Sequence, residues 1–365
     1  MTNKDLKEIG SVFPLDSCEI ASNTLLTKKD LISFLHVKDN VIFLSLGREA
    51  FSLIARKHPQ NKKVLLPSYT CQTVCDPFVQ LNWNFDIYSI GINLRINIEN
   101  VREQIKKFNP AVMVLHPYYG TDFTPEEIEL IKEVKGKGVI TVVDYTQSIY
   151  CNKHIEFADY CVGSLRKWID CPDGGYIYSN TYDLTPFEPF DNHILFVQPQ
   201  IDSMYLRGEY FKTNNFHLKN ISIRLNKQAV KNADYNIQPH SISSLGMNRL
   251  LNSPFFANAE IRYSNYKYLH NNIIQSLKIK FVYEDMSEII SAPLYFPIYC
   301  NNRSELQRRL AESNVYAPIL WKVPEYYQNL NNSSLYIYDH ILVIPVDQRY
   351  GIKEMQRICD VINAF

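Results

Sequence analysis

The sequence predicts an α/β protein with a large, mostly parallel sheet covered by helices on both faces, followed by a smaller α/β unit. Short apolar segments alternate with helical segments of about ten residues, which is the pattern of βαβ units. The apolar segments are continuous rather than alternating, as expected for strands buried on both faces. Polar residues follow several of these segments, where parallel sheets bind ligands.

The predicted strands of the large sheet span residues 41–45, 63–67, 84–89, 111–115, 138–143 and 158–163. Helices are predicted between them, at residues 48–58, from about 70 to 81, 98–108 and 125–135. Pro125 would lie in the first turn of its helix, which is a favoured position for proline.

The remaining half of the chain has a different character. Residues 180–239 are rich in Asn, Tyr, Phe and charge, and we interpret them as an excursion from the sheet that lies against a partner subunit. Residues 241–274 predict a long helix interrupted near 252–254. A proline-containing strand suited to a sheet edge follows at 290–298. A helix at 304–313, a strand at 341–345 and a helix at 352–365 complete a predicted division into a large domain, 1–240, and a small C-terminal domain, 241–365.

Composition excludes several classes of protein. Lys plus Arg and Asp plus Glu are both 38, so nothing in the charge balance indicates binding to nucleic acid or to an anionic membrane. No apolar run reaches the ~18 residues that span a bilayer, and the first residues lack the apolar segment of a signal peptide. We therefore expect a cytoplasmic protein. Cys71 and Cys75 lack further Cys or His at zinc spacing, so no metal site is expected.

The candidate ligand-binding residues follow the predicted strands. They are Gly47-Arg48, Ser68-Tyr69-Thr70, His116, Asp144, Gln147 and Ser164.

Gly47-Arg48 is a candidate phosphate site. A strand–glycine–helix junction leaves free backbone N–H groups at the positive end of a helix, and Arg48 adds a charged fork. The alternative is an ordinary strand–helix turn.

Lys167 is the predicted attachment point of pyridoxal 5'-phosphate (PLP), held as an imine. Burial and the adjacent Arg166 would lower its pKa, which an imine-forming lysine requires. Asp144 ends a buried strand and would pair with the pyridine nitrogen, which keeps the ring an electron sink. Gln147 would donate to the ring's phenolate oxygen, and Ser164 would join Gly47 at the phosphate. The alternatives are a capping acid at Asp144, a solvated lysine at Lys167 and a turn residue at Ser164.

These motifs resemble the DegT/DnrJ/StrS family of nucleotide-sugar aminotransferases, which are fold-type-I PLP enzymes. The segments that carry the resemblance are Val142 to Gln147, Ala158-Asp159, Ser164, Lys167, Gly174-Gly175, Gly47-Arg48, Pro67 to Thr70, His116 to Gly120 and, weakly, Leu342 to Pro345. The resemblance implies amino transfer from a donor such as glutamate to a keto-sugar, usually nucleotide-linked, through pyridoxamine phosphate. It also implies a homodimer with shared active sites, and products that enter surface polysaccharides or glycosylated metabolites.

The chain departs from the family pattern at several positions. Cys71 stands where an aromatic residue usually stacks on the cofactor, and Arg48 stands where threonine is usual. Ser164 and Lys167 are closer together than in most members. The family's Asn-x-Arg element has no clear match, and residues 235–243 are the nearest region. We retain Gly47, Arg48 and Cys71 among the expected cofactor-binding residues.

Tyr118, Tyr119 and Arg349 are possible substrate contacts, although a core or surface role is favoured for each of them.

Three other functions remain open. A PLP-dependent lyase, dehydratase or decarboxylase would use the same fold. A non-catalytic relative would retain the fold alone. A doubly wound nucleotide-binding protein without PLP is disfavoured, because the chain lacks Gly-x-Gly-x-x-Gly and a phosphate loop ending in Gly-Lys-Ser/Thr.

Overall fold

The computed structural model describes residues 7–15, 26–35, 37–38, 40–151, 156–234 and 237–365. The strands within these ranges are β1 (Ile9–Gly10), β2 (Val41–Leu44), β3 (Lys63–Pro67), β4 (Asn84–Tyr88), β5 (Val112–Leu115), β6 (Ile140–Asp144), β7 (Tyr160–Ser164), β8 (Gly175–Ser179), β9 (Ile279–Phe281), β10 (Tyr295–Cys300), β11 (Val315–Tyr316) and β12 (Ile341–Pro345).

The helices within the same ranges are α1 (Lys28–Phe34), α2 (Gly47–Lys57), α3 (Gln72–Gln80), α4 (Ile98–Phe108), α5 (Pro125–Gly136), α6 (Ile194–Thr213), α7 (Phe216–Asp234), α8 (Ser244–Leu251), α9 (Phe255–Asn272), α10 (Arg303–Glu312), α11 (Asn332–His340) and α12 (Ile352–Asn363). Short 3-10 turns follow β6 and β7, at Tyr145–Gln147 and Leu165–Lys167.

The predicted large sheet is confirmed. Its described strands lie in the order β2-β8-β7-β6-β5-β3-β4. Neighbours from β7 to β4 are parallel, and β8 runs antiparallel to both β7 and β2. Six of these strands therefore point the same way, and their carboxyl ends share one edge of the sheet.

Both faces of this sheet are covered by apolar side chains. Along β3, Leu65 packs in one buried cluster, while Val64 and Leu66 pack in a second cluster on the other face. The same alternation occurs in β5, where Met113 and Val114 belong to different clusters. Burial on both faces explains why the strands are continuous apolar runs in the sequence.

The second sheet has the order β12-β10-β9, and its pairs are antiparallel. The prediction of an edge strand at residues 290–298 is wrong, because β10 is the central strand. Its proline, Pro297, pairs with Val343 of β12. On the other side β9 pairs only with Ile298 to Cys300. The proline thus lies where β10 has a single neighbouring strand. At such a position a strand tolerates the missing backbone N–H, because no strand on the open side needs it.

The excursion predicted at residues 180–239 leaves the sheet, but most of it is a hairpin of two long helices. α6 and α7 pack against each other, with Ser203 and Ser222 hydrogen-bonded at their contact. Apolar and aromatic residues occur around α6 on more than one face, and Pro199 lies inside it. No single apolar stripe marks this helix, so periodicity did not reveal it. Of residues 235–243, the region nearest to the Asn-x-Arg element, residues 235 and 236 lie outside the described residues.

The long helix predicted at 241–274 is present as α8 and α9, with the break at the predicted position. The two-residue strand β1 pairs in parallel with β11, so Ile9 and Gly10 lie beside the C-terminal part of the chain. The domain boundary at residue 240 stays a prediction. None of the helices described is both long and apolar enough to cross a membrane.

Candidate functional site

The predicted site residues gather at the carboxyl edge of the large sheet. Gly47 begins α2 directly after β2, and a Cβ atom placed on it would lie 3.1 Å from the Gly163 oxygen and 3.2 Å from Ser164 Cβ. The first turn of α2 and the end of β7 therefore touch. This proximity brings together the free N–H groups of a helix start and a serine, the groups that phosphate sites use.

Gly174 and Gly175 hold this junction tightly. A Cβ atom on Gly175 would lie 2.5 Å from the backbone nitrogen of Gly47, so any larger residue would displace the start of α2. The Gly174 carbonyl accepts hydrogen bonds from the backbone N–H groups of Leu165 and Arg166. The glycine pair thereby fixes the turn that presents Lys167.

Asp144 ends β6 and is almost fully buried. Its Oδ1 accepts a hydrogen bond from the Thr146 backbone N–H (2.9 Å), and its Oδ2 lies 3.5 Å from Nδ1 of His116. Nε2 of His116 is 2.7 Å from the Thr70 hydroxyl. Burial lowers the pKa of His116 and Lys167 lowers it further, while Asp144 acts in the opposite direction. A neutral His116 is therefore favoured, which leaves the carboxylate of Asp144 available for a cationic partner.

Gln147 has a buried side chain whose amide oxygen and nitrogen both lack a hydrogen-bond partner of good geometry. Burial raises the pKa of the nearby Tyr119 phenol, and Tyr69 and Gln147 offset part of that rise. A buried amide without hydrogen-bond partners lowers the stability of the folded protein. It is the arrangement expected where a polar ligand completes the site.

Lys167 makes no hydrogen bond or ion pair with any residue that the structure describes. Burial lowers its pKa, and the positive charges of Arg166 and Arg48 lower it further. Cys71 and Asp144 oppose this effect. The predicted direction of the shift is thus confirmed, and it increases the neutral, nucleophilic fraction of the amine.

Arg166 is a site residue that sequence reasoning did not assign beyond its effect on Lys167. Its Nε is buried without a partner, and the guanidinium lies 5.4 Å from the ring centre of Phe196. Burial, followed by Arg48, lowers the pKa of Arg166 to about 10. The only signal in the sequence was its position beside Lys167. A half-buried guanidinium whose Nε has no partner is suited to bind an anion.

The other predicted ligands differ in where they lie. Cys71 is half-buried at the start of α3 and close enough to Lys167 to influence its pKa. Ser164 makes no side-chain hydrogen bond within the described residues and remains free for a ligand. Arg48 donates from Nη1 to Asp234 at 2.6 Å and to the Ala233 carbonyl at 3.3 Å, so it is held by the end of α7. Its role at a phosphate stays a prediction.

A cavity of about 770 Å³ opens beside Lys167 and extends toward the second sheet. Its lining includes five cationic side chains and one acidic one, namely Arg166, Lys167, Arg262, Arg308, Arg349 and Asp347. Asp144, Gln147, Ser164 and Gly47 do not line it. Lys167 is therefore where the strand-end residues meet this cavity.

Of the three possible substrate contacts, only Arg349 lines the cavity, and it is paired with Asp347 at 2.7 Å. Tyr118 and Tyr119 are buried and bonded to Tyr69, so they serve the core.

Solved structures of similar fold are known. A putative sugar aminotransferase, Spr1654 from Streptococcus pneumoniae, superposes with a TM-score of 0.69 at 10% identity, with 98% of each chain covered. The sugar aminotransferase CalS13 from Micromonospora echinospora gives 0.67 at 10% identity, covering 98% of this chain and 99% of its own. Helicobacter pylori PseC, an aminotransferase involved in the biosynthesis of pseudoaminic acid, gives 0.67 at 13% identity over 98% of each chain. These similarities confirm the predicted fold class.

No protein-family model matches the chain, and no curated protein sequence matches it. The similarity to the three solved structures, at 10–13% identity, is one of fold.

Proposed function

We propose that this protein is a PLP-dependent aminotransferase of the DegT/DnrJ/StrS type. It would transfer an amino group from an amino acid such as glutamate to a keto-sugar. The observation that carries this proposal is the unpartnered amine of Lys167, with its lowered pKa, at the strand edge that also holds Asp144 and Gln147. The fold that this chain shares with solved sugar aminotransferases supports the same activity.

The residues at the strand edge fit PLP. The unsatisfied amide of Gln147 suits an oxygen substituent of the ring, and the buried carboxylate of Asp144 suits a protonated ring nitrogen. The start of α2 at Gly47, with the free hydroxyl of Ser164 against it, suits the phosphate. When bound, PLP supplies an electron sink for a developing negative charge at the substrate's α-carbon.

The protein's own groups would then hold the cofactor and move protons. Nζ of Lys167 would attach the cofactor and act as the base that moves the proton at the substrate carbon. Asp144 would hold the ring orientation through its carboxylate, while the neutral His116 packs beside it. Arg166 would bind an anionic group of the substrate next to the reacting amine.

The cavity supports an anionic substrate. Arg349 is paired with Asp347, and Arg308 is paired with Glu305 and Glu312. The cations left on the lining are Arg166, Lys167 and Arg262, which favour the carboxylates of an amino acid donor and the diphosphate of a nucleotide-linked sugar. We therefore propose a nucleotide-linked keto-sugar as the acceptor, for the biosynthesis of surface polysaccharides or amino-sugars.

The first test is Lys167→Ala, with Lys353→Ala on the exposed face of α12 as its matched control. We expect the wild type and the control to purify with the visible absorbance of a lysine-bound cofactor, and Lys167→Ala to lack it. An unchanged spectrum for Lys167→Ala would refute the role of this lysine.

The second test separates amino transfer from the alternative PLP reactions. Stoichiometric glutamate should convert the bound cofactor to pyridoxamine phosphate and release an equal amount of 2-oxoglutarate. A screen of amino acid donors that leaves the absorbance unchanged would contradict transamination. Elimination or decarboxylation products would instead support a lyase, dehydratase or decarboxylase.

We also propose a homodimer located in the cytoplasm. The α6–α7 hairpin exposes large apolar side chains that a second copy would cover, among them Ile194, Leu195, Phe211, Phe216 and Ile223.

A further inference from the structure

A second group of chemically capable side chains lies apart from Lys167. It consists of Glu49 in the first turn of α2, His193 immediately before α6, and His240, whose carbonyl accepts from the Ser45 backbone N–H. Glu49 is fully buried, His193 is almost fully buried, and the edge of His240 reaches the surface. Within the described residues, this is the one group of three His, Cys, Asp or Glu side chains arranged to hold a metal ion.

The distances in this group suit one shared cation. Oε1 of Glu49 lies 3.2 Å from Nδ1 of His240 and 3.6 Å from Nδ1 of His193. Tetrahedral zinc, with ligand bonds near 2.1 Å, separates its ligand atoms by about 3.4 Å. Oε2 of Glu49 is already used, because it accepts the Leu46 backbone N–H at 3.0 Å. Glu49 therefore offers one oxygen to the group.

The protein alone leaves this group incompletely satisfied. Both ring nitrogens of His193 are buried without a hydrogen-bond partner. The His193 and His240 rings stack with their centres 4.4 Å apart and their planes at 15°, so two protonated imidazoles would repel each other. A divalent cation would accept a lone pair from each neutral imidazole and balance the buried carboxylate.

We propose that Glu49, His193 and His240 bind a zinc-type divalent cation, with water as the remaining ligand. Two imidazoles and one carboxylate are a ligand set that zinc accepts, and the edge of His240, whose side chain is 12% exposed, gives an entry path. The ion joins the first turn of α2, the start of the α6–α7 hairpin and the segment beside β2. The site is separate from the Lys167 centre, because neither Lys167 nor Asp144 is among its ligands.

The test uses full-length, tag-free protein, dialysed against a chelator and then equilibrated with Zn²⁺. We expect elemental analysis to give one zinc per chain, and zinc to raise the thermal midpoint because it binds the folded state. His193→Ala and His240→Ala should each lose this stoichiometric zinc. The matched control, His217→Ala on the exposed surface of α7, should retain it.

A second measurement does not depend on the folding of any variant. Co²⁺ in place of zinc in the wild-type protein should give visible ligand-field bands without a thiolate charge-transfer band, since the site contains nitrogen and oxygen ligands only. A thiolate band would place the metal on cysteine and overturn the assignment. Absence of zinc uptake by the wild type, or full uptake by both folded histidine variants, would also overturn it.

This inference is independent of the proposed function. Lys167→Ala should bind zinc as the wild type does, even though it is expected to lose the cofactor absorbance. Failure of the cofactor tests therefore leaves the metal site intact, and the reverse also holds.

Discussion

Two arginines set the electrostatics around Lys167. Burial is the largest cause of its lowered pKa, and Arg166 and Arg48 add to the effect. Arg48 is partly neutralised by its ion pair with Asp234, whereas the side chain of Arg166 makes no ion pair within the described residues. Arg166 is therefore the better target for changing the pKa of Lys167 without changing the lysine.

Arg166→Met should raise the pKa of Lys167, because it removes a positive charge and preserves most of the side-chain volume. Lys167 forms its covalent bond as the neutral amine, which predominates above its pKa. A raised pKa reduces the neutral fraction at a given pH, so the pH profile of cofactor attachment should move to higher pH. Stopped-flow absorbance after adding PLP to the apo-protein, repeated across pH, measures this shift.

Arg224→Met provides the control, because Arg224 lies exposed on α7. Its profile should overlay that of the wild type. If the profile of Arg166→Met also overlays it, or moves to lower pH, the electrostatic coupling between Arg166 and Lys167 is refuted.

Sequence patterns predicted the positions of residues that follow strands more reliably than the positions of residues in turns. Asp144 and Gly47 follow buried apolar runs, so the sheet topology alone predicts the edge at which they lie. The orientation of the Arg166 side chain depends on a short 3-10 turn. The ion-pair partner of Arg48 is Asp234, at the far end of α7. Contacts of this kind depend on tertiary packing, which periodicity does not encode.

The junction between α2 and β8 is the element-scale feature on which the proposed phosphate site depends. Gly175 lies in β8 opposite Leu44 of β2, and its Cα faces the first backbone N–H of α2. No side chain fits there without moving either the helix start or the strand. The close approach of two backbones explains why the chain has glycine at this point.

Gly175→Ala should destabilise the protein by about 1–3 kcal/mol, the usual cost of forcing an extra methyl group into a packed site. Gly136→Ala is the matched control, because a Cβ there meets nothing within 4 Å at the end of α5. The control should be neutral or more stable by about 0.5–1 kcal/mol. Urea unfolding followed by circular dichroism measures both. Equal stability of the two variants would contradict the packing at Gly175.

Strands and helices whose sequence shows one strong hydrophobic pattern were predicted well. Those whose sequence combines conflicting patterns were not. The parallel strands of the large sheet are short apolar runs bounded by polar turns, and their bounds agree with prediction within a residue or two. Pro297 favoured a sheet edge, but the short partner β9 allows it in the middle of a sheet. α6 was missed because its residues serve both the contact with α7 and an outward apolar surface.

At the scale of the whole molecule, the cavity beside Lys167 connects the two main sheets. Its lining combines Gly10 and Tyr316 near the β1–β11 pair, Tyr295 and Pro345 of the second sheet, and Lys167 after β7. The N-terminal segment is thus part of the cavity wall. Sequence order alone did not indicate this, because β1 and β11 are separated by most of the chain.

The α6–α7 hairpin exposes several large apolar side chains. Leu195 is 66% exposed and Ile194 60%, at the first turn of α6. Soluble proteins rarely leave such groups uncovered in a cluster, and a second copy of this chain is the proposed cover. The predicted dimer therefore depends on burial of Leu195.

Leu195→Glu should weaken the dimer, because it would bury an unpaired carboxylate at the interface. A cost of about 2 kcal/mol raises the dissociation constant roughly thirtyfold. Size-exclusion chromatography with light scattering over a dilution series should show monomer appearing at higher concentration than for the wild type. Leu277→Glu, at a residue 91% exposed outside the hairpin, should behave as the wild type. A monomeric wild type, or equal dissociation of both variants, would contradict a dimer built on this hairpin.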